Sequence, residues 1–292
     1  SEADAVSLDY QSLETYYRQQ PGLVADKLKN TLEYIWNGIK TIPQIKGIVF
    51  AYDEAQEMND QERSGQFPLS VLLDVFQNLQ RKGFPFILLL VGLPTLYPKV
   101  VETRGYSERM FDVDVLGSLS FEESKQAISV PINEKKSLIN FSESSIDLIA
   151  KTSGGYPYFI QFICRDAFDS FITQKSRGIE IPGVPLTEII AKLDTEFFEP
   201  KWDTATDRER EVLAIISTLQ NSQEEFTIKE IVDQEKNFSL PKFMGDSQIN
   251  QLLARLSKKG LVFRTARHGK YTLGAPMLAP YVQRQMPLHR KT

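Results

Sequence analysis

Gly47-Ile48-Val49-Phe50-Ala51-Tyr52-Asp53-Glu54 is the stretch from which the fold can be read. Its apolar part is continuous and rich in β-branched and aromatic residues, the composition of a strand buried on both faces of a parallel sheet. It ends in two carboxylic acids. Toward the N-terminus, Val24, Leu28, Leu32, Ile35 and Ile39 recur at steps of three and four, which predicts an amphipathic helix that Pro43 stops. Toward the C-terminus, Leu69, Leu72, Phe76 and Leu79 mark a second helix, and Phe84-Pro85-Phe86-Ile87-Leu88-Leu89-Leu90-Val91 repeats the buried-strand pattern. Phe111-Asp112-Val113-Asp114-Val115 reads as a third, shorter strand. Strands alternating with helices predict an α/β sheet over residues 1–115.

The pattern changes at residue 116. Ser120-Phe121-Glu122-Glu123 is a capping-box signature, and helical patterns follow near 121–130, 142–152, 157–175 and 185–199, which predicts a helical subdomain over 116–200. Pro182 and Pro185 bracket a turn, and Glu199-Pro200-Lys201 reads as a linker. Thr206-Asp207-Arg208-Glu209, a further capping box, opens a third domain over 201–292. Its first helix carries Val212, Leu213, Ile216 and Leu219, a second starts at about Thr227, and a third covers 246–259. The segments 261–264 and 270–273 flank a turn containing His268-Gly269, as in a β-hairpin. Three helices followed by a hairpin predict a winged helix-turn-helix.

Composition narrows the function. The 292 residues, 41% hydrophobic and 25% charged, are those of a globular chain of two or three domains, not of a fibre or a disordered segment. The longest apolar stretch, 84–94, is too short to cross a bilayer, so no membrane contact is expected. One cysteine, Cys164, excludes an intramolecular disulfide and multi-cysteine metal sites, and two histidines, His268 and His289, argue against histidine-based metal or triad catalysis. No secretory leader is read, and a reducing, cytoplasmic compartment is expected. The net charge is −4, yet residues 205–292 carry 14 Lys/Arg against 9 Asp/Glu, so a polyanion would bind at the C-terminal end.

Two constellations carry chemistry. Asp53 and Glu54 stand at the carboxyl end of a parallel strand, where open α/β sheets bind their ligands. In a nucleotide hydrolase Asp53 would hold a hydrated magnesium ion and Glu54 would orient the attacking water; alternatively, the two acids mark where the strand surfaces. In the C-terminal domain, a recognition helix over 247–259 would offer Gln248, Asn250, Gln251, Arg255, Lys258 or Lys259 to the major groove of double-stranded DNA, with Leu252, Leu253 and Leu256 on its inner face. Arg264, Arg267, His268 and Lys270 of the wing would approach phosphates or the minor groove. Winged helices also dock proteins, so a protein partner stands as the other reading.

Taken together, these segments resemble a P-loop ATPase of the AAA type, with a likeness to prokaryotic relatives of the origin-recognition initiators and to the signal-transduction (STAND) ATPases. Ile48 to Glu54 resembles a Walker B motif, and Leu90-Val91-Gly92-Leu93-Pro94 lies at the sensor-1 position. Arg104-Gly105-Tyr106-Ser107-Glu108-Arg109 resembles the segment that often carries an arginine finger. Lys151-Thr152-Ser153-Gly154-Gly155-Tyr156-Pro157-Tyr158 resembles the Gly-Gly-x-Pro element of the helical lid, and Arg208 to Leu213 resembles the opening of the winged helix that closes these proteins. The resemblance implies an α/β fold made of a partial P-loop parallel sheet, a helical lid and a C-terminal winged helix. It also implies ATP or ADP with Mg²⁺ as cofactors of an intact parent protein, none of them bound tightly by this chain. Asp53 would serve the magnesium through water and Glu54 the attacking water. Arg109 would serve a neighbouring subunit's γ-phosphate through self-association, and Gly154, Gly155, Tyr156 and Pro157 the base and lid closure. Without the resemblance, Gly154-Gly155 is a helix–turn–helix corner and Arg104 and Arg109 are solvated charges.

The chain departs from this pattern at its centre. The phosphate cradle Gly-x-x-x-x-Gly-Lys-[Ser/Thr] stands nowhere in it, and the 46 residues before Gly47 read as a polar segment and one helix. An N-terminally truncated ATPase is therefore expected, itself near background in hydrolysis. Gly92 offers no side chain at the sensor-1 position, leaving Thr95 or a backbone group, and Tyr158 and Phe159 stand where a sensor-2 arginine is common. The alternative is a non-catalytic regulator that binds DNA or a protein through the winged helix.

Overall fold

A computed structural model describes residues 8–61, 65–134, 140–179, 183–238, 244–265, 267 and 269–289. They fall into two compact units, Ser1–Val115 and Leu116–Thr292. His268, Pro182 and the pair Lys135-Lys136 lie outside the described residues.

The first unit runs α1 (Tyr10–Gln19), α2 (Val24–Ile39), β1 (Ile48–Tyr52), α3 (Pro68–Arg81), β2 (Phe86–Leu90) and α4 (Leu96–Thr103). The two strands pair in parallel, Ile48 opposite Phe86 through Tyr52 opposite Leu90, with α3 in the crossover between them. Pro68 pre-sets the first turn of α3, and the Asp60 carboxylate caps it by accepting from the N–H groups of Leu69 (2.9 Å) and Ser70 (3.2 Å). Leu69, Leu72, Leu73, Phe76 and Leu79 are buried on the helix's inner face. Phe50 meets Phe76 and Phe86 edge-on at 5.2 and 5.5 Å, and Trp36 meets Phe86 at 6.1 Å, so this tryptophan is a packing residue.

Three expectations for this unit are corrected. The strands are covered on one face only: Phe86 and Leu88 are buried, whereas Val49 and Ile87 are each 58% exposed and Leu89 47%. A continuous apolar run cannot reveal whether a second layer stands on the far face, and none does among the described residues of this unit. Residues 111–115 form no strand; β1 and β2 pair only with each other, and Val113 and Val115, spaced by Asp112 and Asp114, are exposed. The polar N-terminal segment contains the helix α1, capped by Asp9, with Tyr16 stacked on Tyr34 of α2 at 4.0 Å.

The second unit contains α5 (Phe121–Glu134), α6 (Glu143–Ser153), α7 (Pro157–Ser176), α8 (Leu186–Leu193), α9 (Glu199–Asp203), α10 (Asp207–Ser217), β3 (Phe226–Thr227), α11 (Ile228–Glu235), α12 (Asp246–Lys258), β4 (Val262–Arg264), β5 (Lys270–Leu273) and α13 (Leu278–Gln285). Both capping boxes form, Ser120 with Glu123 and Thr206 with Glu209. The hairpin pairs as read, Val262 opposite Leu273 and Arg264 opposite Tyr271, and β3 adds a third antiparallel strand against β5. The expected linker at Glu199-Pro200-Lys201 is helical: a wider π turn over Asp194–Phe198 joins α8 to α9, and Pro200, which has no N–H to give, falls in the first turn of α9. One hydrophobic cluster unites the segments read as lid and C-terminal domain. Phe198 stacks on Tyr281 at 5.1 Å, and Trp202, also a packing residue, meets the same ring at 6.0 Å. No described helix is long and apolar enough to cross a membrane.

Candidate functional site

At the carboxyl end of β1 the chain turns sharply. Glu54 has φ 51° and ψ 36°, the one non-glycine residue in the left-handed region among those described. For a residue with a Cβ this costs roughly 1 kcal/mol, so the surroundings must hold it. They do so from both sides. The Asp53 carboxylate accepts from the Glu54 N–H at 2.9 Å, and the Gln56 side-chain amide donates to the Glu54 carboxylate. The Gln56 carbonyl oxygen Oε1 accepts from the Leu93 N–H at 3.1 Å, while Lys99 of α4 donates to the Gln56 backbone carbonyl. Burial pushes the Lys99 ammonium below its ordinary pKa, against the carboxylates of Glu57 and Asp60, which raise it.

This network explains the glycine at position 92. A Cβ on Gly92 would collide with the Gln56 Oε1, so the small residue makes room for an amide that joins the ends of β1 and β2. Gln56 was missed in the sequence, where it stands beside the two acids without a role. Thr95 precedes α4 and makes no side-chain cap there. Asp53 and Glu54 are both exposed, and no described group of three His, Cys, Asp or Glu side chains gathers to hold a metal ion. One carboxylate suits a hydrated Mg²⁺ that takes its other ligands from water and phosphate. The acid pair therefore fits its part of such a site, while the phosphate-cradling motif is not in the sequence.

The two arginines of the 104–109 segment differ. Arg104 is clamped to Asp74 of α3 by two hydrogen bonds, Nε at 3.1 Å and Nη2 at 2.9 Å, and the Tyr106 hydroxyl donates to the same carboxylate. The Arg104 hydrogen bond holds the Asp74 carboxyl below the usual range, and burial together with Asp74 pushes the Tyr106 phenol up to about 12. Arg104 is thus neither a free finger nor a solvated charge. Arg109 ends a short 3₁₀ turn, Ser107–Arg109, and is exposed with no carboxylate partner among the described residues.

Gly154 and Gly155 join α6 to α7 with φ 59° and 73°. Beyond this conformation, a Cβ on Gly155 would run into the Leu119 backbone carbonyl, whose own residue donates its N–H to the Gly155 carbonyl at 2.8 Å. A Cβ on Gly154 would meet Pro276 at 2.7 Å. Close packing thus accounts for both glycines. Tyr156 precedes α7 with its ring 4.8 Å from that of Phe159, and Pro157 opens the helix. Asp53 and Glu54 belong to the first unit and Gly154 to Pro157 to the second. Farther along α7, Cys164 is half-buried and burial pushes its thiol up to about 12, which disfavours the nucleophilic thiolate.

On α12, Gln248, Asn250, Gln251, Arg255 and Lys258 are exposed, while Ile249, Leu252, Leu253 and Leu256 are buried. Asn250 accepts from the Tyr271 hydroxyl at 3.2 Å, which ties the helix to the hairpin. Lys259, read as facing outward, turns inward: its ammonium donates to the Thr204 carbonyl and to Glu209, each at 2.6 Å. Glu209 is only 1% exposed. Burial raises its carboxyl, but Lys259 and Thr206 more than offset that and leave it below the usual range. In the hairpin Arg264 is exposed beside the Tyr271 ring, Arg267 is exposed and paired with Glu225 at 3.2 Å, and Lys270 is half-buried.

No protein-family model matches the chain, and no curated protein matches it significantly. Solved structures do. The ORC2 protein of Aeropyrum pernix in its ADP form is 15% identical with a TM-score of 0.50, over 92% of this chain and 71% of that one. Its ADPNP–ADP complexes give the same identity and score over 93% and 73%. Cdc6p of Pyrobaculum aerophilum is 16% identical over 94% and 74%, with a TM-score of 0.40. The likeness to ORC2 is one of fold, and it agrees with the resemblance read from the motifs.

Proposed function

We propose that this chain is the nucleotide-responsive, DNA-binding part of an AAA-type ATPase, in which ATP binding and hydrolysis drive a movement passed to a C-terminal winged helix. The observation that carries this reading is the acid pair at the carboxyl end of β1, with Glu54 held in a strained conformation by Asp53 and Gln56. Strain kept at such a turn is typical of sites rather than of idle surface. Asp53 would hold Mg²⁺ through water, and the metal would supply charge neutralisation at the phosphates. Glu54 would orient water, Gly154 to Pro157 would serve the base and lid closure, and Arg109 would meet the γ-phosphate of a second copy. The ADP form and the ADPNP–ADP complexes of the similar ORC2 protein support nucleotide as the ligand class.

Without the cradle motif most phosphate-binding energy is missing, so the 292-residue chain is expected to hydrolyse Mg-ATP near background. A rate well above background that Glu54→Gln abolishes would overturn this statement. For the full site, the Glu54→Gln change should remove hydrolysis while nucleotide binding persists.

A second reading, a non-catalytic regulator, is favoured by the exposed face of α12. Gln248, Gln251, Arg255 and Lys258 share it, and Arg264, Arg267 and Lys270 lie on the hairpin to which Asn250 ties that helix. Amides and arginines suit base edges, and cations suit phosphates. Both readings use this face for double-stranded DNA, and a protein partner would compete for it. They part on nucleotide: only the first makes DNA affinity change when ATP is added.

A further inference from the structure

The first unit contains a surface cavity of about 480 Å³ lined by Gln77, Gln80, Arg81, Tyr106, Arg109 and Met110. Its size is that of a small-molecule site. Of the four described arginines of this unit, Arg18 is paired with Glu14 and Arg104 with Asp74, whereas Arg81 and Arg109 have no carboxylate partner among the described residues. These two line the same cavity, and no carboxylate lines it with them. The arrangement is built from α3 outward. Asp74 clamps Arg104 and Tyr106, which pins the segment carrying Arg109 against the helix whose last turn carries Arg81. The Asp74 charge is itself neutralised by Arg104. The Gln80 amide is anchored on the Phe86 carbonyl at 3.3 Å, and Gln77 is half-buried beside it.

We infer that this cavity receives the terminal phosphoryl group of a nucleotide between Arg81 and Arg109. Two guanidinium groups offer planar forks of donors to a dianion's oxygens, and the glutamine amides add neutral donors. The Tyr106 ring and Met110 supply an apolar wall for what the phosphate is attached to. This rests on the role proposed for Arg109 and deepens it: Arg81 becomes a second phosphate ligand, and the pocket exists within one copy of the chain. The phosphoryl group can come from free nucleotide or from one held by a second copy.

Calorimetric titration of the full chain with pyrophosphate and with ADP, paired with sedimentation at the same concentrations, tests the inference. Expected is one-to-one binding of both probes, weakened at least tenfold by Arg81→Ala and likewise by Arg109→Ala, with unchanged circular dichroism. Arg18→Ala, outside the pocket, should leave it unaltered. Binding by a monomer identifies free nucleotide as the source; binding that appears only with a sedimenting dimer identifies the second copy. Absence of pyrophosphate binding in both states, or binding indifferent to Arg81→Ala, overturns the inference. Self-association that fails while monomer binding persists removes the role of Arg109 across an interface and leaves the pocket standing.

Discussion

The two units bury their apolar residues differently. In the second, a single cluster runs from Ile128 through Phe198 and Leu253 to Val282, and the helices, the short sheet and α13 close around it. In the first, α2 and α3 cover one face of a two-stranded parallel sheet, and Val49, Ile87, Leu89 and Val91 point their side chains into solvent on the other. Parallel sheets ordinarily have both faces covered; among the described residues the second unit encloses its core, whereas one face of the first unit's sheet stands open. The same division holds for chemistry. The first unit carries an acid pair without its phosphate cradle, and the second carries an exposed basic face on a closed core.

Substitutions can break this comparison. Each unit has one tryptophan, Trp36 and Trp202, so Trp36→Phe and Trp202→Phe chains report on them separately by fluorescence. Leu253→Ala, at a fully buried site, should cost the second unit about 3 kcal/mol in urea unfolding. Ile87→Thr, on the open face of β2, should change the first unit by less than about 0.5 kcal/mol. Equal losses at the two sites would mean that the open face is covered in solution.

The buried Glu209–Lys259 pair gives the next largest effect. Lys259→Met leaves a buried carboxylate without its cation and should destabilise the second unit by about 2–3 kcal/mol, below the full cost of breaking a buried pair because Lys259 is partly exposed. Because the folded Glu209 lies below its ordinary value, the pair's contribution is fully present above the unfolded carboxylate pKa, near about 4.3. It is lost as pH falls through the lower folded value. Stability of the wild-type unit against pH should therefore drop more steeply in acid than that of Lys259→Met.

A smaller effect of opposite sign is expected at Glu54. Glu54→Gly removes the left-handed strain and should leave the first unit as stable or up to about 1 kcal/mol more stable, by thermal unfolding of the chain with Trp36 alone. A loss of more than 1 kcal/mol would mean that the carboxylate's bond to Gln56 is structural rather than part of a site. The smallest effect concerns Cys164, whose raised pKa predicts negligible iodoacetamide labelling at neutral pH in the native state and full labelling in denaturant.

What was legible in the sequence follows from locality. The helices α2, α3 and α12, both capping boxes, and the inward set Leu252, Leu253 and Leu256 are dictated by spacing within a few residues, and all are found. The Gly154-Gly155 corner was legible as a turn, but its reason, the backbone of Leu119 and the ring of Pro276, lies far away in the chain. Residues 111–115 look like a strand because alternation is a local signal, whereas a strand requires a partner, and none is present among the described residues. Lys259 reads as an outer-face residue because nothing near it in sequence shows Glu209, fifty residues earlier. Gln56 is silent in the sequence for the same reason: its significance is the Leu93 N–H and the glycine at 92.

The exposed basic face of the second unit is the part of the molecule expected to work unaided, and titration of labelled duplex DNA at 50 and 200 mM salt tests it directly. With three to four phosphate contacts from the α12 and hairpin cations, affinity should fall roughly 40- to 150-fold between those salts. Arg264→Ala combined with Arg267→Ala should flatten that dependence. Salt-independent binding, or binding that the double substitution leaves unchanged, would contradict DNA contact through this face.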